Sequence, residues 1–227
     1  MEILNVEIYN KHIRQVKDFT LTCKALEEKL EQLQYTGENR IKDEQVENMQ
    51  LPPIALPFYS YIYDTGNIPT EDILIELYLG QEEYFGYLPE EKIEVNFKGI
   101  VSVVSLEGVI GRVLRTYPSL IRDFHFYLMS VESGEFGAVR YSFIDDFENK
   151  IDLKIMYKEM WFNIGLQIKS TRSSFFQRLK QHRHKPVDVL YIELDRRKCK
   201  NCGKFFLYTQ EHLQILIKTL NKKLKHF

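Results

Sequence analysis

The chain is poor in cysteine, in long apolar runs and in net charge, and each shortage excludes something. Three cysteines in 227 residues are an odd and sparse set, which argues against a disulfide framework and for a reducing compartment. Cys199 and Cys202 form one CxxC flanked by lysines. Without a second pair this is half of a zinc signature, and Cys23 and a histidine such as His212 would complete four ligands only by an accident of folding, so zinc is not expected. No apolar run reaches the roughly 18 residues that a spanning helix needs. The first residues show no basic segment followed by an apolar one, so no secretory signal is expected. No membrane partner and a cytoplasmic location follow as expectations. No internal repeat or low-complexity tract is present.

The small net charge of −1 hides an asymmetry. Residues 169–227 carry 15 Lys or Arg against 4 Asp or Glu, so the rest is strongly acidic. Such a separation sets up a field in which one part attracts polyanions. Fifteen Phe and fourteen Tyr supply ample core material.

Periodicity gives an α/β chain in two parts. Residues 1–99 read as a mainly helical and loop region for regulation, dimerisation or recognition. Within it, residues 1–48 look helical, and 27–34 suit a surface or partner-facing helix through Leu30 and Leu33. Pro52, Pro53, Pro57 and Pro69 make 51–70 an extended connection. Thr70 caps a helix over 71–79. The second part, 100–227, opens with an apolar, glycine-containing stretch to Leu114, either a strand and a helix or one packed helix. Tyr117-Pro118 then marks a boundary before a helix over 119–133. Alternation follows over 138–143, 151–157 and 161–169, then a helix over 173–181, strands at 187–194 and 205–208, and a last amphipathic helix over 211–224.

Strand parity picks out candidate chemistry. With Ile151, Leu153 and Ile155 on one face, Asp152 points to the other; with Leu166 and Ile168 inward, Gln167 and Lys169 point outward together. Gly165 on that face leaves room for a substrate backbone. Glu132, four residues beyond Leu128 and eight beyond Phe124, falls on the inward stripe of its helix, where a carboxylate needs a partner. Oxygen ligands from Asp152, Glu132 and Gln167, with waters, suit Mg²⁺ or Mn²⁺.

The stretch Lys150-Ile-Asp152-Leu-Lys-Ile, followed after one hairpin by Gly165-Leu-Gln167-Ile-Lys169, resembles the PD-(D/E)xK nuclease superfamily. The glutamine in place of the second acid resembles its Mrr-type restriction branch. The resemblance covers about residues 116–208. It implies a restriction-endonuclease-like core of helix, three-stranded meander, helix and strand. It also implies metal-dependent hydrolysis of DNA phosphodiesters, in restriction or anti-phage defence. Asp152 would bind metal, Gln167 would lend its carbonyl, Lys169 would orient or activate water, and Glu132 would match the helix acid. Ile151 replaces the family's proline, and Gln167 removes one negative charge from the site.

Beyond Lys169, the residues Arg172, Arg178, Lys180, Arg183 and Lys185 stand with no acid among them. They form a basic footprint for phosphates, and nothing in it separates DNA from RNA. The rival expectation is a non-catalytic nucleic-acid-binding or assembly subunit that keeps the fold.

Overall fold

The computed structural model describes residues 4–10, 13–19, 21–142, 145–168 and 188–225. Shorter helices and strands of three sheets pack around one long central helix. That helix, α5 (Leu106–Glu132), is 27 residues long and carries buried side chains on almost every side, among them Val109, Val113, Tyr117, Ile121, Phe124, Tyr127 and Leu128. Apolar side chains spread so widely round a helix need cover on most of its sides. Packed against it are α1 (Cys23–Gln32), α2 (Glu44–Asn48), α4 (Glu71–Leu79), strand β6 (Ala138–Ser142) and strand β11 (Phe205–Leu207). Helix α3 (Ala55–Thr65) adds Phe58, whose ring meets Tyr117 at 6.0 Å and Phe124 at 6.4 Å, both edge-on. No helix among the described residues is long and apolar enough to cross a membrane.

The main sheet has six strands in the order β2-β1-β6-β7-β8-β9. Strands β6, β7 (Leu153–Tyr157) and β8 (Met160–Ile168) form an antiparallel meander, and β9 (Val189–Leu194) lies parallel to β8 with Gln167 opposite Glu193. A mixed α/β architecture therefore holds as expected. A smaller sheet, β3 (Phe85–Leu88), β4 (Lys92–Phe97) and β5 (Ile100–Ser105), precedes α5. Strand β10 (Lys200–Cys202) pairs with β11 in a hairpin, and α6 (Gln210–Leu224) closes the described chain.

Several expectations need correction. Residues 4–10 and 13–19 are strands β1 and β2, an antiparallel hairpin whose first strand joins β6 in parallel. Leu4, Val6 and Ile8 alternate with polar residues, which is a strand period; leucines at helical spacing begin only after Cys23. With β3–β5 added, residues 1–99 are not mainly helical. The position between 99 and 100 falls inside the tight turn from β4 to β5, where Phe97 pairs with Ile100 and both Lys98 and Gly99 have positive φ. Helix α1 does lie at the surface as expected, with Leu26 and Leu30 buried toward α5 and Lys24, Glu28 and Glu31 exposed. The proline-rich connection contains α3, with Pro57 in its first turn, where a missing N–H costs nothing.

Pro118 does not end a helix either. It lies inside α5, where it can donate no hydrogen bond to the Leu114 carbonyl. Tyr35 supplies the substitute: its hydroxyl donates to that carbonyl at 3.3 Å. The same carbonyl would sit 2.7 Å from a Cβ at Gly37, so this loop must approach without a side chain. Tyr35→Phe is expected to lower stability by about 1 kcal/mol, the value of one buried hydrogen bond, as a shift of the urea midpoint at constant slope.

Candidate active site

Along α5 the residues Arg112, Thr116, Ser119 and Asp123 recur at intervals of four, three and four, a polar stripe on one helical face. This stripe cannot close tightly on its neighbours, and a cavity of about 360 Å³ opens there. Its other walls are Leu51 to Ala55 at the start of α3, Tyr59, Tyr141 from β6, and Asp146, Phe147, Lys150 and Asp152 from the link between β6 and β7. Tyr59 and Tyr141 stack with ring centroids 3.9 Å apart, and both are buried.

Three carboxylates enter this cavity from three elements. Asp123 comes from α5, Asp146 from a π-helical turn over 145–149, and Asp152 from the bend just before β7. The Asp146 carboxylate accepts from the Tyr141 hydroxyl at 3.0 Å. The Asp152 carboxylate accepts from the Leu166 N–H, which fastens it to the backbone of β8, and its own N–H donates to the Ile164 carbonyl at 2.8 Å. Asp123 makes no hydrogen bond or ion pair among the described residues, although the Arg122 guanidinium lies near enough to favour its charge. Burial, reinforced by Asp146, pushes the Asp123 carboxyl up to about 7. Burial and the charges of Asp123 and Asp146 drive Asp152 well above the usual carboxylate range, and burial raises Asp146 as well. Like charges held in a poorly hydrated place favour the uptake of a proton or a cation.

The expected site residues do not all meet here. Asp152 lines the cavity from the bend just before β7, half-buried between the buried Ile151 and Leu153. Gln167 is half-buried on β8 and is not part of the cavity wall. Glu132 is corrected outright. It stands at the exposed end of α5, nine residues and so about 13 Å along the axis from Asp123, and its carboxylate accepts from the Cys23 N–H at 2.6 Å. There it satisfies one of the unpaired N–H groups that open α1. Gly165 offers no room for a substrate, because the Tyr191 ring would lie 2.6 Å from a Cβ at that position. Lys169 and the basic residues Arg172, Arg178, Lys180, Arg183 and Lys185 lie outside the described residues. Asp123 and Asp146 were missed by sequence reasoning. The spacing of Arg112, Thr116, Ser119 and Asp123 was the available signal for the first, while Asp146 reads as an ordinary turn residue.

Among the described residues no group of three or more His, Cys, Asp or Glu side chains is placed to hold a metal ion. The donor set nevertheless suits a hard cation, because Mg²⁺ is commonly held by one or two carboxylates and completes its shell with water. The CxxC offers no such fit. The Cys202 thiol donates to the Glu27 carbonyl at 3.1 Å and is pushed up to about 11 by burial and then by Glu31, which keeps it protonated. His212 instead accepts the Thr209 N–H at 2.9 Å and caps α6.

Comparison with protein-family models, with curated proteins and with solved structures finds no match.

The raised Asp123 carboxyl has a pH signature. An unfolded aspartate titrates near 3.9, so in a chelator the folded chain holds a proton that the unfolded chain releases between about pH 4 and 7. The contribution of this group is fully present below about pH 4 and is lost as pH rises through about 7. Urea midpoints measured in EDTA at about pH 5 and about pH 8 should therefore differ less for Asp123→Asn than for the wild type, the variant being the more stable of the two at the higher pH.

Proposed function

We propose that this chain is a metal-dependent phosphodiesterase of the PD-(D/E)xK nuclease type, acting on DNA in restriction or defence. The observation that carries the reading is the convergence of Asp123, Asp146 and Asp152 on one cavity, with mutual repulsion that a divalent cation would relieve. Supporting it is the order of elements: helix α5, the antiparallel meander β6-β7-β8, and β9 parallel beside β8. The reading revises the ligand set taken from the sequence. Asp152 and Asp123 would hold Mg²⁺ or Mn²⁺, Asp146 would support them, and Glu132 plays no part. When bound, the cation supplies Lewis-acid activation of the phosphodiester and of water.

The chain's own contribution is orientation. The Leu166 N–H and the Tyr141 hydroxyl aim two of the carboxylates, and the stacked Tyr59 and Tyr141 form a buried part of the wall. Lys169, one residue beyond the end of β8, remains the proposed group for stabilising charge in the transition state. Residues 169–187, with six Lys or Arg and no acid, are the proposed contact to the sugar-phosphate backbone.

Gln167 and its place outside the cavity wall favour one rival, a nucleic-acid-binding subunit without catalysis. Plasmid and linear DNA incubated with Mg²⁺ or Mn²⁺ decide between them. Cleavage that falls at least about 100-fold in Asp152→Asn and in Lys169→Ala is the expected result. Salt-sensitive binding without cleavage in any metal would leave the binding subunit. The same cation should also raise the unfolding temperature of the wild type at pH 8, as any ligand that binds only the folded state does, and should raise that of Asp152→Asn much less.

A further inference from the structure

Two lysines beside the aspartate cavity, Lys150 in its wall and Lys98 next to Phe147 of that wall, close no ion pair among the described residues. Phe147 forms part of the wall, and its ring lies 5.0 Å from the Lys98 Nζ and 5.5 Å from the Lys150 Nζ. Lys98 arrives from the β4–β5 turn of the smaller sheet, and its ammonium also stands 5.6 Å from the Phe97 ring, which meets Phe147 edge-on at 6.1 Å. Contact with an aromatic face steadies a cation without cancelling its charge. Neither ammonium has a carboxylate within ion-pair reach among the described residues. Lys150 sits close enough to Asp146 and Asp152 to feel both, yet its Nζ donates to the Phe147 carbonyl at 2.9 Å. Lys154, four residues on, shows the alternative: it closes a 2.6 Å pair with Asp145. Both lysines also have left-handed backbone, Lys98 at φ 53° and Lys150 at φ 60°. At Lys98 a hairpin turn requires it; at Lys150 no hairpin does.

We propose that Lys98 and Lys150 form a phosphate clamp over Phe147, at the mouth of the cavity that holds Asp123, Asp146 and Asp152. Two ammonium groups drawn to one ring repel each other, and a tetrahedral oxyanion between them removes that repulsion. Compact point charges with rotatable donors suit phosphate oxygens. The carboxylates deeper in the cavity repel the same anion, so it rests at the mouth with its outer oxygens on the lysines. The ligand is a phosphate ester or free phosphate. As a contact for substrate the clamp rests on the hydrolase reading above, but its binding of phosphate needs no metal and no cleavage.

The test uses the full chain in Ca²⁺ or in EDTA, with two probes: a fluorescein-labelled single-stranded DNA followed by anisotropy, and inorganic phosphate followed by calorimetry. Lys98→Gln and Lys150→Gln, which keep the aliphatic stem, should each weaken binding of one or both probes by about tenfold, and each should reduce the salt slope of DNA binding by about one. Lys218→Gln on the exposed face of α6 is the control and should change neither. Loss of DNA binding with phosphate unaffected assigns the clamp to a polymer backbone; loss of phosphate binding assigns it to the free anion as well. Unchanged affinity and salt slope in a double Lys98→Gln, Lys150→Gln protein that unfolds at the wild-type midpoint overturns the clamp. Failure of the hydrolase reading looks different: no metal cleaves DNA, while phosphate binding still depends on the two lysines.

Discussion

Helix α5 is surrounded, and that burial is the constraint on which the other elements depend. Helices α1, α2 and α4, strands β5 and β6 and the β10–β11 hairpin all pack against it, so its apolar residues leave water on nearly every side. One consequence is tolerance of Pro118 in mid-helix. Its energetic cost would be a few kcal/mol in an isolated helix, but here neighbours hold the helix together and Tyr35 takes up the orphaned carbonyl. Another consequence is the cavity. Where α5 turns Arg112, Thr116, Ser119 and Asp123 toward α3 and the β6–β7 link, polar groups take the place of interlocking apolar ones, and a space remains.

Two charged clusters in this chain behave in opposite ways, and the contrast separates structure from candidate chemistry. Glu27 on α1 receives His125 at 2.8 Å and the Lys200 ammonium, and its carbonyl receives the Cys202 thiol. Those partners neutralise the carboxylate and tie the β10–β11 hairpin to α1 and α5. Burial keeps His125 below its ordinary pKa even against the pull of Glu27, and burial followed by Glu132 and Glu27 keeps Cys23 protonated. Everything there is spent within the fold. In the aspartate cavity, carboxylates face one another while the nearest lysines rest on a ring and a carbonyl. Asp146 and Asp152 each keep a hydrogen bond, but no ion pair among the described residues offsets the burial of the three carboxylates. Charge left unpaired in a recess is what a ligand of two signs, a cation with a phosphate, would complete.

Among the described residues the elements beyond α5 were largely legible, while the expected helix over 173–181 lies outside them. The alternation at 138–143, 151–157 and 161–169 matches β6, β7 and β8 to within a residue or two, and the Thr70 cap and the last helix stand where local signals put them. The N-terminal hairpin was not legible to a reading that ran the helical period of 23–34 back across Leu4, Val6 and Ile8. Strand β1 owes its place to pairing with β6, more than 130 residues away.

What the sequence determined by itself is local: which segments extend and which coil, where prolines and glycines break the chain, and that Asp152 stands at the entry to a strand. Parity along a strand is local too, and Asp152 stands half-buried between the buried Ile151 and Leu153. The tertiary structure alone decided which carboxylates meet. It set Glu132 on the open N–H groups of α1, turned Asp123 and Asp146 toward Asp152, and brought Lys98 from a separate sheet to the same ring as Lys150. Contacts between residues far apart depend on how layers stack and helices cross, and no window of sequence contains that information.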